Sequence, residues 1–303
     1  MKIIVSGLGR MGEQIAHKLA DSGHQVIANN RSPGPVDASL AYKATAAYTK
    51  EEALKAAGSE QVILWMMITD SAMEEELATW LKLVPKGSII IDGGNSDFRL
   101  TKTRSSKVAE AGSSYIDVGT SGGVWGYKNG FSMMAGGDEK AFRVIEPVLK
   151  TLSKPSGAYH YFGESGSGHF VKMVHNAIEY GMMESLAEGY RMLKEGPYKN
   201  LDLAAAGEVW QHGSVVTSWL NELSRQALTE NPSLDGIDGV VSESGEARWT
   251  LEVARDMGIP LPAIRTSFDI RLASQKGEVN FATKLLAAMR NKFGGHVINP
   301  DSQ

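Results

Sequence analysis

The chain has 303 residues, enough for about two domains, and its 42% hydrophobic and 22% charged content is that of an ordinary globular protein with a real core. It contains no cysteine, which excludes disulfides, thiolate metal sites and a cysteine nucleophile, and fits a reducing, cytoplasmic compartment. A net charge of −4 with no basic block argues against a nucleic-acid partner, and no apolar run approaches the about 18 residues of a membrane span.

The first residues, MKIIVSG, read as a strand rather than a signal peptide. The run from Lys2 to Ser6 leads directly into GLGRMG, where Gly7, Gly9 and Gly12 form G-x-G-x-x-G. A helix from Glu13 to Ala20 follows, then a second strand, HQVIANN. In that β-α-β setting the glycines let the backbone turn and approach a pyrophosphate at the helix N-terminus. Gly7, Leu8, Gly9, Arg10, Met11 and Gly12 are therefore candidate cofactor contacts. An acidic residue after the second strand would hold a ribose diol. The sequence there is Asn29-Asn30-Arg31-Ser32, with no carboxylate. Arg31 and the Ser32 hydroxyl suit a 2′-phosphate, so NADP is expected, with NAD as the alternative.

Thr49-Lys50-Glu51-Glu52 reads as a capping box before a helix. Strands follow at Gln61 to Trp65, Ser88 to Asp92, Tyr115 to Val118, Phe131 to Ala135 and Tyr159 to Phe162. Helices fall between them: from Thr69 or Asp70 to about Leu83, from Phe98 to Ala111, and from an Asp138 cap to about Leu152. This alternation implies an α/β, Rossmann-type, doubly wound parallel sheet with ligands beyond the carboxyl ends of its strands. Two loops at those ends stand out, Gly93-Gly94-Asn95-Ser96 and Gly119-Thr120-Ser121-Gly122-Gly123. Both suit a polyol or carboxylate, and both read equally well as tight turns.

The boundary is expected near Glu164, giving a dinucleotide-binding domain over 1–164 and an all-α domain over 165–303. The stretch ESGSGHFVKMVHNAIEY, Glu164 to Tyr180, predicts a loop, a serine N-cap and a long helix to about Lys194. Lys172, His175, Asn176, Glu179 and Tyr180 fall at i, i+3, i+4, i+7 and i+8, on one helical face. A base and an acid about 10 Å apart along one helix could bracket a small substrate. Taken alone, the stripe also fits a solvated face. Further helices are expected at about Leu203 to Gln211, Val215 to Leu228, Glu246 to Met257, Ala263 to Ser274 and Asn280 to Asn291. Such a domain often supports a homo-oligomer.

Together these residues resemble the decarboxylating 6-phosphogluconate dehydrogenases in their shorter bacterial form, within the β-hydroxyacid dehydrogenase superfamily. The resemblance spans essentially the whole chain. It rests on GLGRMG, NNRS, DGGNSDF, TSGG, GSGHFVKMVHNAIEYG, ESGEARWT, the arginine of DIRLAS and the tail R-x-x-F-G-G-H. It implies that Lys172 is the general base and Glu179 the general acid. It places Asn95, Ser121, Gly122, Gly123, His175, Asn176 and Tyr180 at substrate-binding positions. Arg248, Thr250, Arg271, Arg290 and His296 match phosphate and hydroxyl contacts, and the tail pair Arg290 and His296 would complete a neighbouring subunit's site. Gly7, Gly9, Gly12, Asn30, Arg31 and Ser32 match the NADP site, which Asn95 borders. Longer members carry lysine at Arg248, and Met66-Met67-Ile68 departs from the small-residue loop common beside the adenine.

The implied substrate is 6-phosphogluconate, the product ribulose 5-phosphate with CO2. Lys172 would have to be neutral to act as a base, so its pKa must fall from ~10.4 toward ~7–8. No metal is expected, because the lysine would do the polarising. Two rivals remain at this stage: a non-decarboxylating 3-hydroxyacid dehydrogenase, which leaves Glu179 and the tail unused, and a silent NADP-binding sensor, which leaves Lys172 unused as well.

Overall fold

The computed structural model describes residues 1–58 and 61–296, and the chain divides into two compact units, Met1–Met173 and Val174–Gln303. The first unit runs β1 Lys2–Ser6, α1 Arg10–Asp21, β2 Gln25–Asn29, α2 Pro33–Ser39, β3 Thr45–Ala47, α3 Lys50–Ala57, β4 Ile63–Met66 and α4 Asp70–Leu81. It continues through β5 Ile89–Asp92, α5 Phe98–Glu110, β6 Ser114–Ser121, α6 Gly126–Asn129, β7 Ser132–Gly137, α7 Glu139–Ser153 and β8 Tyr159–Tyr161. The strands form one sheet in the order β3-β2-β1-β4-β5-β6-β7-β8.

The sheet is buried on both faces, so its central strands are continuously apolar rather than alternating. Ile3 and Val5 face one layer with Ile15 and Leu19 of α1. Ile4 between them faces the other, with Leu64, Met73, Leu77 and Trp80. The expected capping box forms: Thr49 Oγ1 accepts from Glu52 N, and the Glu52 carboxylate accepts from Thr49 N. The sheet departs from the all-parallel expectation at one place, because β7 lies antiparallel to β6, in register Asp117 with Gly136. The segment between Ser121 and Ser132 is too short for the crossover that a parallel partner needs, so the chain turns back on itself. The remaining strand pairs are parallel. The short elements α2, β3 and α6 carry too few periodic residues to have been read from the sequence.

One long helix, α8 Ser167–Glu195, starts in the first unit and continues into the second. After it come α9 Leu203–Gln211, α10 Trp219–Glu230, α11 Glu246–Asp256, α12 Pro262–Ser274 and α13 Phe281–Gly294. Their core gathers Met183, Ala187 and Tyr190 of α8 with Leu223, Leu228, Leu285, Leu286 and Met289. Tyr190 donates to Asn221 Oδ1 at 2.8 Å, and Asn221 in turn donates to Gly207 O, so these two buried side chains are paired. Helix α10 begins at Trp219, later than the expected Val215, because the Ser218 hydroxyl caps Asn221 N. No helix among the described residues is long and apolar enough to cross a membrane.

Candidate active site

The glycine loop between β1 and α1 is built for close approach. Gly7 has φ +95°, a conformation that side chains rarely adopt. A Cβ on Gly7 would overlap Met67 O, and one on Gly12 would overlap Gly7 O. A Cβ on Gly9, the residue preceding α1, would meet no atom within 4 Å. The two outer glycines therefore close the turn, and the middle one leaves open space before the helix N-terminus, which fits a pyrophosphate. Asn30 ties this loop to the end of β2: its carbonyl oxygen accepts from Leu8 N at 2.9 Å, and its amide donates to Ser32 O and Oγ. Arg31 and Ser32 are exposed there. The nearest following carboxylate, Asp37, accepts from Tyr48 Oη. The half-buried Met67 and Ile68 pack against Gly7 and Gly12 on one side and Gly93 and Gly94 on the other.

The loop carrying Asn95 is held from beneath by Asp92, the last residue of β5. Asp92 Oδ1 accepts from Gly94 N, and Oδ2 accepts from Ser96 Oγ and Tyr115 Oη. The fully buried Arg104 of α5 reaches Asp92 at 3.5 Å and bonds Asp70 and Glu74. Burial pulls the Arg104 pKa down, but its three carboxylate neighbours outweigh that and hold it above the usual value. Asn95 itself is exposed above this network.

Strand β6 ends at Ser121, with Gly122 and Gly123 next, and all three are partly exposed. The loop beyond is clamped to α1: Tyr127 N donates to Gln14 Oε1, and Lys18 donates to Tyr127 O. Lys172, buried on α8, lies with its stem against Gly119 of β6, where any Cβ would overlap it. The start of α8 is not capped by serine. Neither Ser165 Oγ nor Ser167 Oγ has a partner among the described residues. The acceptor is Asp117 of β6, which takes Gly166 N and His169 N.

In the second unit, His175 and Asn176 form a chain with Glu246 of α11. Asn176 Nδ2 donates to Glu246 Oε1 at 2.8 Å, which points its carbonyl oxygen at His175 Nδ1, 2.9 Å away. A carbonyl oxygen only accepts, so Nδ1 carries the proton and Nε2 of the neutral ring is the acceptor. Tyr180 is buried, and its hydroxyl accepts from Ser244 N. The Arg271 guanidinium stacks over the Tyr180 ring at 3.3 Å. Arg290 donates to Ser242 Oγ at 3.1 Å. Both arginines are buried and close enough to feel each other. Burial depresses Arg271, while Tyr180 and Glu179 oppose it. Burial, and then the charge of Arg271, push Arg290 down to about 10. Both remain cations at neutral pH.

The other sequence candidates are placed less openly. Arg248 is exposed and ion-paired with Glu243. Thr250 is buried, and its hydroxyl donates to Glu246 O. His296 O accepts from Asn291 Nδ2, and its ring lies against Phe293. Sequence reasoning missed Asp92, Asp117, Glu184 and Glu246. Of these, Glu246 and Asp92 carried a signal, their places inside ESGEARWT and DGGNSDF.

Comparisons with known proteins agree with this layout. Residues 2–163 match the sequence model for the NAD binding domain of 6-phosphogluconate dehydrogenase, and residues 168–292 match that for its C-terminal domain. A Bacillus subtilis protein provisionally named 6-phosphogluconate dehydrogenase YqeC is 38% identical, over 98% of both chains. A Haloferax volcanii protein named 6-phosphogluconate dehydrogenase, NAD(+)-dependent, decarboxylating is 34% identical, again over 98% of both chains. Among solved structures, Plasmodium falciparum 6-phosphogluconate dehydrogenase superposes with a TM-score of 0.83 at 29% identity. That match covers 92% of this chain but 63% of the longer Plasmodium chain.

Proposed function

The chain belongs to the 6-phosphogluconate dehydrogenase family, and on that premise we propose that it oxidises 6-phosphogluconate at C3 and decarboxylates the product to ribulose 5-phosphate and CO2. A nicotinamide dinucleotide held at the glycine loop would supply the hydride acceptor. Lys172, as the neutral amine, takes the C3 hydroxyl proton while the hydride leaves. The resulting β-keto acid breaks its C1–C2 bond, CO2 departs, and the electron pair moves toward the ketone oxygen. Lys172, now the ammonium, returns its proton to that oxygen, leaving an enediol. Glu179 then protonates what becomes C1 of the pentulose, while Lys172, again the neutral amine, takes back the enediol hydroxyl proton to restore the ketone. His175, with Nε2 as acceptor, takes a substrate hydroxyl, and the Glu246–Asn176 contact fixes its tautomer. Asn95, Ser121, Gly122 and Gly123 hold the carboxylate end and the polyol.

One observation favours a phosphorylated substrate over a plain 3-hydroxy acid. Arg271 and Arg290 are buried together, each already depressed by burial. Two guanidiniums so placed are costly unless an anion completes them, and a phosphate dianion accepts paired bonds from both. The resemblance assigns Arg290 to a neighbouring subunit's site, but Arg290 lies beside Arg271 of its own chain, so only His296 is left as the contribution of a partner's tail to this proposal. NADP is the proposed cofactor, because Arg31 is exposed after β2 and no carboxylate stands there to hold a ribose diol. The relative from Haloferax is named as NAD(+)-dependent, so the choice needs a direct assay.

The test is to supply 6-phosphogluconate with NADP and then with NAD, following reduced cofactor and CO2 together. Equal amounts of both products, formed faster with NADP, are expected. Reduced cofactor without CO2 would identify a non-decarboxylating dehydrogenase instead. Binding of NADP without turnover would mark a sensor.

A further inference from the structure

Helix α8 carries Lys172, and its first turn is fastened by a residue fifty positions earlier in the chain. Asp117 sits fully buried in β6, and each carboxylate oxygen takes one N–H: Oδ1 from Gly166 at 2.8 Å and Oδ2 from His169 at 2.9 Å. These lie among the donors that a helix start leaves without intrahelical partners. Gly119, two residues on and therefore on the same face of β6, takes the Lys172 stem. Gly168 closes onto Met134 O and Asp117 O, again with no room for a Cβ. One face of one strand thus sets both the start of the helix and the position of the lysine on it.

A carboxylate here also acts through its charge. The N-terminus of a helix carries about half a positive elementary charge, which disfavours an ammonium in the opening turns. Lys172 is the sixth residue of α8, within two turns of that end. A carboxylate seated on the first turn offsets the helix field, which favours the protonated amine. Other ionisable groups lie near Asp117 among the described residues, and Asp92 and Arg104 share its Tyr115 neighbour. Tyr115 on its own strand and Tyr161 on β8 are both raised, mainly by burial, and stay neutral in the working range. Asp138 caps α7, Lys102 pairs with Glu164 on the approach to α8, and His169 Nδ1 is bonded to Thr101 Oγ1.

We propose that Asp117 is a positioning residue for Lys172 that seats the start of α8 and, by offsetting the helix field, sets the pH at which the lysine amine becomes a base. The proposal rests on Lys172 being the proton acceptor. Asp117→Asn keeps the shape and one acceptor oxygen but removes the charge. The acidic limb of its kcat/KM profile for 6-phosphogluconate should move to lower pH by about half a unit. Hydrogen exchange at the His169 or Gly166 amide should quicken alongside. The shift should persist in a His169→Gln background, which separates the imidazole from the amine. Asp117→Ser is the second neutral variant if the first does not fold, and it should shift the limb in the same direction. An unmoved limb, a shift to higher pH, or a uniform loss of rate at every pH would overturn the proposal. Lys172→Met, assayed in parallel, separates the two claims. If it is inactive while Asp117→Asn is unshifted, only the Asp117 assignment falls. If it turns over normally, the base assignment falls and takes this proposal with it.

Discussion

Glu184 offers a quantitative test of how the second unit handles buried charge. It lies on α8, 5% exposed, and Oε2 has no hydrogen-bond partner among the described residues. Burial, helped by the nearby charge of Glu188 and opposed by Arg271, pushes its carboxyl from 4.5 up to about 7. Below about pH 4.5 the folded and unfolded chains both hold this proton, and the site costs nothing. Between there and pH 7 the folded chain keeps a proton that the unfolded chain has lost, so stability falls as pH rises. Each unit of that interval is worth about 1.4 kcal/mol, and allowing for local relaxation the folded state loses roughly 2 kcal/mol by pH 8. Glu184→Gln removes the titration while keeping the shape. We expect the variant to be more stable than the parent by roughly 2 kcal/mol at pH 8, or about 7 °C in Tm for a unit of this size. The advantage should shrink to a few tenths of a kcal/mol near pH 5. Urea midpoints at the two pH values measure it. An equal difference at both values, or a less stable variant at pH 8, would refute the reasoning.

Four further outcomes are expected from the proposed roles. Arg271→Met should raise KM for 6-phosphogluconate by about 10–100-fold, the worth of a charge-assisted contact, and barely alter weak turnover of unphosphorylated gluconate; equal effects on both would make the residue structural. Lys172→Met should lower turnover by about 10²–10⁴-fold with NADP affinity preserved by calorimetry, and normal turnover would remove it as the base. Glu179→Ala should show a burst of reduced cofactor and then a slow steady state, because oxidation precedes the step it serves; an unchanged rate with no burst sinks that role. Arg31→Ala should raise KM for NADP by about 10-fold and leave that for NAD unchanged, so parallel changes would detach Arg31 from the 2′-phosphate.

What the sequence revealed was the structure that depends on near neighbours. The β1-α1-β2 unit was legible because its turn needs glycines at fixed offsets, and Gly7 and Gly12 do close on neighbouring backbone. The Thr49 capping box was legible because both its bonds span three residues. The serine cap of α8 failed for the opposite reason. Ser165 and Ser167 have the right chemistry at the right place, but Asp117 arrives from β6 and takes the donors first. The contact of Asp92 with Arg104 was hidden likewise, since an acidic residue ending one strand and an arginine in the next helix look like ordinary surface charges until the sheet brings them together. The reversal of β7 was missed because an apolar strand carries no mark of its direction; only the short connection before it does. The polar face of α8 was visible as spacing. The Tyr180–Arg271 stack and the Glu246–Asn176 bond, which explain what that face holds, join residues 70 or more positions apart.

The charges of the second unit make sense as a set. Arg271 and Arg290 are depressed by burial, Glu184 is raised by it, and Glu246 is buried with Oε2 unpaired among the described residues. A core assembled for stability alone would do better with hydrocarbon at these positions, because desolvating an ion costs more than an imperfect partner returns. The excess is what a ligand can recover. A phosphate entering between two cations that are already desolvated meets donors that need little further reorganisation, so its binding free energy is large and available for use elsewhere. The phosphate of the proposed substrate is chemically remote from the carbon being oxidised. Interactions with a remote group can be spent on fixing the reacting carbon against Lys172, which raises kcat and not only affinity. On this account Arg271 and Arg290 serve catalysis at a distance, and the stability forgone in burying them is part of how Lys172 and Glu179 are brought to bear on one small, flexible substrate.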